Sequence, residues 1–84
     1  MAGAERVLDT RVATARSCAD QTNDTLDEIA IGESFVLIAD HDPIGLQYML
    51  QAERPGVANW ELLDDGPPFW RVRIRKGEAT APGR

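Results

Sequence analysis

Phe35-Val36-Leu37-Ile38-Ala39-Asp40-His41-Asp42-Pro43 decides the fold of this chain. Its first five residues are all apolar, the mark of a strand buried on both faces and therefore central in its sheet. Asp42 suits a helix N-cap, and Pro43 suits the first helical position, where a missing N–H costs nothing. A central strand thus runs directly into a capped helix. The chain's single histidine stands on the turn between, flanked by two carboxylates.

Working outward towards the N-terminus, Gly32-Glu33 predicts a helix end through a left-handed glycine. The helix itself is expected over Ser17 to Ala30, with Cys18, Thr22, Leu26 and Ile29 on the apolar stripe and Ser17 as cap. The stripe is thin, because Thr22 is only half apolar. Asp20, Asn23, Asp24 and Asp27 are placed towards water, and all four are poor helix formers away from the first turn. This helix is expected to be the least stable element. Before it, Arg6 to Val12 reads as a short strand at or near an edge.

Working outward towards the C-terminus, the second helix is expected from Pro43 to about Glu53, with Leu46, Met49 and Leu50 on the core and Arg54-Pro55-Gly56 ending it. Asn59 to Leu63 and Phe69 to Lys76 then read as an antiparallel pair joined by Asp64-Asp65-Gly66-Pro67-Pro68. The last strand alternates, with Trp70, Val72 and Ile74 on one face and Arg71, Arg73 and Arg75 on the other. Trp60 and Trp70 fall on the inward faces and are expected in the core, because a small domain needs their large burial area. The order β-α-β-α-β-β calls for an α/β (α+β) two-layer sandwich, with two helices on one face of a four-stranded mixed sheet.

Eighty-four residues make one domain, with about 60–65% of its unfolded surface buried on folding. At 43% apolar and 27% charged residues the composition is that of a folding chain. The domain is expected over residues 6–76, between a disordered N-terminus at 1–5 and a flexible tail at 77–84. A formal charge of −5 opposes binding to nucleic acid. No apolar run reaches the roughly 18–20 residues of a membrane span, and Met-Ala-Gly-Ala-Glu-Arg lacks the pattern of a signal peptide. The expected compartment is the cytoplasm, with no membrane partner. One cysteine forms no internal disulfide, so Cys18 is read as a single thiol.

Leu8-Asp9-x-Arg11, Gly32-Glu33, Asp40-His41-Asp42-Pro43 and the block Glu-Arg-Pro-Gly…Trp-Glu-x-Leu…Gly-Pro-x-x-Trp-Arg-Val at Glu53 to Val72 resemble the bacterial family called domain of unknown function 2249. The resemblance covers about residues 6 to 76. It implies a fold similar to the TusA/SirA-like sulfur carriers, which work through a cysteine in a Cys-Pro-x-Pro motif at the start of the first helix. Counting from Asp9, that cysteine falls at Ala15 here and the prolines at Arg16 and Cys18. Cys18 lies three residues later, about one helical turn further in, and is expected to be buried. The carriers have Asp-Asp-Pro where this chain has Asp-His-Asp-Pro, so the histidine is an added feature. The family's first loop usually carries a proline-rich segment and often a histidine, and Ala13 to Ala19 has neither. Members occur alone and fused to haemerythrin-like metal-binding modules, which associates the family with redox and metal neighbours.

His41 admits two readings. In the functional one its imidazole ligates a divalent metal, with Asp40 or Asp42 as oxygen ligand or orienting partner, acts as an acid or base near neutral pH, or recognises a ligand or partner without metal. In the plain one it packs over the helix start while Asp42 merely caps. One histidine and one remote thiol are too few for a closed zinc site, so a metal would be shared with a partner or a second copy. The helix start also offers N–H groups to a small anion, a feature of every capped helix. Arg71, Arg73 and Arg75, with Lys76, form either a docking stripe for an acidic partner or a nucleotide phosphate, with Phe69 as apolar anchor, or a solvated face balanced by cross-strand acids such as Glu61. Cys18 is either a small buried hydrophobe or the sulfur-carrying group. No serine or cysteine stands beside His41 in a nucleophilic arrangement, and no Gly-rich phosphate loop follows a strand. The residues therefore point to a small binding or adaptor module with a protein partner rather than an independent enzyme. A sulfur carrier using Cys18 is the alternative.

Overall fold

The computed structural model describes residues 5–11 and 16–78. Its elements follow the expected order: β1 (Arg6–Asp9), α1 (Cys18–Glu28), β2 (Ser34–Ala39), α2 (Ile44–Glu53), β3 (Ala58–Asp64) and β4 (Trp70–Lys76). The sheet runs β1-β2-β4-β3, with β1 parallel to β2 and the other neighbours antiparallel. The apolar run therefore does occupy an interior strand. Phe35 and Leu37 pair with Ile74 and Val72 on one face. With Leu26 and Ile29 from α1 and Leu50 from α2 they form a single core, so both helices cover that face. On the opposite face Val36 is buried as well, between Val7 and Arg73 in register. A long arginine stem lying along apolar surface is enough to shield such a residue.

Ser17 caps α1, its hydroxyl accepting from the Asp20 N–H at 3.0 Å. The helix stops at Glu28, earlier than expected, and Gly32 is not its terminator. With φ +93°, Gly32 takes the third position of a turn closed by Glu33 N–H to Ala30 C=O at 2.9 Å, a place that demands positive φ. Its N–H also donates to the Lys76 carbonyl at 2.8 Å, tying the turn to the end of β4. Thr22 and Thr25 are buried with Leu26. The Thr25 hydroxyl returns to the Gln21 carbonyl at 2.9 Å, while the Thr22 hydroxyl has no partner among the described residues. Asp20, Asp24 and Asp27 are exposed as expected and Asn23 is half-buried; Arg54 donates to Asn23 Oδ1 at 3.0 Å and to Asp27 Oδ1 at 2.8 Å, clamping the end of α2 onto α1.

The helix α2 begins one residue after Pro43, which takes the cap position. Asp42, expected as the N-cap, stands one residue before it, and its carboxylate accepts the Ile44 N–H at 3.1 Å while no side chain caps the helix from the N-cap itself. Leu50 is fully buried, Leu46 and Met49 pack against the core, and Gly56 at φ +82° follows the helix end. Glu5, expected in the N-terminal tail, accepts from Arg73 at 2.8 Å, and Gly77 donates to the Val57 carbonyl at 2.7 Å. The rest of the expected loose ends, and Val12 at the end of the expected first strand, lie outside the described residues. Among the described residues no helix is long and apolar enough to cross a membrane.

Candidate functional site

The carboxyl ends of β1 and β2 meet the start of β4 at one end of the sheet. In open α/β sheets ligands bind beyond such strand ends. Ala39 and Pro43 are buried on either side of the turn, while Asp40, His41 and Asp42 between them are exposed. The two anchors hold the turn, and the three polar residues face water. His41 has 66% of its side chain exposed, and its Nδ1 lies 3.0 Å from Asp40 Oδ1. A carboxylate on Nδ1 orients the ring and leaves Nε2 directed elsewhere, as in histidines prepared to ligate.

Beside the turn, Arg11 makes a fork on Asp9, with Nε at 2.9 Å and Nη2 at 2.8 Å on its two oxygens, and its backbone N–H adds a third bond at 3.0 Å. These bonds hold the Asp9 carboxyl down at about 2. Asp9, in return, raises the Arg11 guanidinium, to which Asp40 also contributes. The same guanidinium lies 5.2 Å from the Phe69 ring centre, a cation–π distance. Phe69, expected as an anchor for a partner, already carries an internal cation.

On the helix side of the same sheet end a groove of about 210 Å³ opens between the start of α2 and the strands β3 and β4. Trp60, Leu62 and Trp70 form the sheet wall, and Pro43, Ile44 and Gln47 form the helix wall. Asp42 and Asp65 also line it. Trp70 Nε1 donates to Asp65 Oδ1 at 3.2 Å, setting the indole in place. Gly66 makes this wall possible: a Cβ there would stand 2.6 Å from the Phe69 carbonyl oxygen and 2.9 Å from Trp70 Cδ2. Trp60 and Trp70 are thus half-buried groove walls rather than fully interior, with Trp60 also packed against the core as expected. The sequence signal for them was the pair of tryptophans flanking a Gly-Pro-Pro turn, which read equally well as core.

The turn residues separate accordingly. Asp42 faces the groove, whereas Asp40 and His41 are not among its lining residues. The basic stripe is partly self-satisfied: Arg71 pairs with Asp64, and Arg73 pairs with Glu5 and, at 3.1 Å, with Glu61. Arg75 is exposed and makes no ion pair among the described residues. Cys18 opens α1 rather than lying inside it, and is half-buried against the core. Among the described residues no group of three or more His, Cys, Asp or Glu side chains is placed to hold a metal ion.

Residues 7–76 match DUF2249, described as an uncharacterized conserved protein. The chain belongs to the DUF2249 family. In this DUF2249 domain the match begins within β1 and ends with β4, so it spans every element that builds the turn and the groove. Comparison with curated proteins and with solved structures gives no match.

Proposed function

We propose that this DUF2249 domain is a small cytoplasmic adaptor that docks a protein partner at the sheet end formed by the Asp40-His41-Asp42-Pro43 turn and the adjoining groove. The observation that carries the reading is the groove itself, a concave apolar wall of two half-buried indoles placed directly beside a turn whose polar residues face water. Half-buried tryptophan at a cleft supplies the large contact area on which hot spots are built. The order of elements is also that of the TusA/SirA-like carriers, small domains that work by handing a species to a larger partner.

A redox or metal-handling partner fits the chemistry of His41. With Asp40 on Nδ1, Nε2 is the ring atom left to complete a partner's coordination sphere. The second reading is sulfur carriage by Cys18, which rests on the half-exposed thiol at the first residue of α1.

A photo-crosslinking amino acid placed at His41, and in a separate variant at Arg75, tests the docking surface in whole cells. Crosslinks to one defined protein from position 41 and not from 75 support it. Crosslinks confined to position 75 move the interface to the basic face and end the proposal. Alkylation of Cys18 as slow in the folded domain as for a core thiol removes the sulfur-carrier reading.

A further inference from the structure

We propose that the groove takes the guanidinium of an arginine side chain from the partner, seated against the indoles of Trp60 and Trp70 with Asp42 and Asp65 as counter-charges. This rests on the docking reading above and names what the groove recognises. The lining supplies three of the things such a group needs. Indole faces are the best aromatic surfaces for a cation, and arginine is the cation that stacks on them most readily. Ile44 and Leu62, 47% and 51% exposed, offer apolar surface to the aliphatic stem. The carboxylates of Asp42 and Asp65 each have one bond spent inside the domain, to Ile44 N–H and Trp70 Nε1 respectively. A carboxylate offers about four acceptor directions, so each retains capacity for a guanidinium.

Two further observations choose a cation over other occupants. Among the described residues no lysine or arginine lines the groove, and nearby Arg71 is spent on Asp64. The domain as a whole carries −5, which steers basic partners towards it. The volume, about 210 Å³, is below the roughly 300–1,000 Å³ of sites for drug-sized ligands. One side chain suits it better than a nucleotide or a large cofactor.

The test is a titration of the labelled domain with the capped tripeptide Gly-Arg-Gly, and with the citrulline tripeptide that has the same shape and no charge. Indole N–H resonances of Trp60 and Trp70 and the intrinsic fluorescence are followed. The arginine peptide is expected to move both indoles with millimolar affinity. Citrulline is expected to bind about tenfold more weakly. Asp65→Asn, an exposed change that keeps an acceptor for Trp70, is expected to weaken the arginine peptide severalfold and leave citrulline unchanged. Equal binding of the two peptides overturns the cation chemistry and leaves the docking reading standing. Shifts confined to the Arg71, Arg73 and Arg75 face, or no shift of either indole at about 100 mM peptide, a concentration well above a millimolar dissociation constant, also overturn it. Loss of crosslinking at position 41 with arginine binding intact would instead remove the docking reading alone.

Discussion

The two faces of β4 are neighbours in sequence and opposites in what they leave unsatisfied. On the open face, Arg71 and Arg73 carry full charges, yet Asp64, Glu5 and Glu61 meet them from the flanking strands and the chain start. On the helix face, Val72 and Ile74 are fully buried, but Trp70 at the strand's beginning is only half covered and turns into a groove with Trp60. The conspicuous charge is mostly internal structure, and the modest apolar end is the open surface. Exposed charge that is already paired offers little net energy to a partner, whereas half-buried indole area is energy still available.

The sharpest way to break that contrast is to compare adjacent β4 residues. Ile74→Ala should cost about 2–5 kcal/mol by leaving a cavity in the core. Arg73→Ala should cost far less, by an amount that shrinks further as salt is added. Urea unfolding of both variants at two salt concentrations reads the difference, and an equal loss would show the open face to be as structural as the core.

Gly66→Ala comes next. The new methyl would press on the Phe69 carbonyl and the Trp70 ring, with an expected cost of about 1–3 kcal/mol. The Trp70 emission should shift even where the domain stays folded. An unchanged spectrum with unchanged stability would mean that the loop does not set the groove wall.

Thr22→Val sharpens the account of the core below both surfaces. It removes a buried hydroxyl that has no partner among the described residues, and the swap should be neutral or stabilising by up to about 1 kcal/mol. A clear loss of thermal stability would show that the hydroxyl is satisfied after all.

The smallest effect concerns acid. Asp9 is held at about 2 by Arg11, against an ordinary value of 3.8, and Glu5 is lowered by its bonds to Arg73 and Ser34. A folded value below the unfolded one means stability that is fully present above the unfolded value and lost as pH falls through the folded one. For Asp9 that window runs from about 4 down to about 2. Carboxyl titration by NMR should place Asp9 there, and Arg11→Ala should return it towards the ordinary value. A normal titration in the intact domain would dissolve the Asp9–Arg11 fork.

The element order, the interior position of β2 and the capped turn after it were legible because each rests on local rules. The apolar run, the cap at Asp42 and Pro43, and the strict alternation of β4 require no knowledge of distant partners. The groove was not legible in the same way. An inward-facing tryptophan reads as core, and only the position of the start of α2 relative to β3 and β4 decides whether it is covered. Asn23 and Asp27 likewise read as solvated helix residues, because nothing local announces that Arg54 will reach them. Glu5 lies 68 residues from Arg73 and could be placed only by the pairing of β1 with β2.

By itself the sequence determined the layers and the order of elements, since periodicity and capping act over a few residues. The tertiary structure alone decided which charges are spent on one another and where the indoles remain uncovered. Those outcomes depend on contacts between segments far apart in the chain, which local rules do not encode.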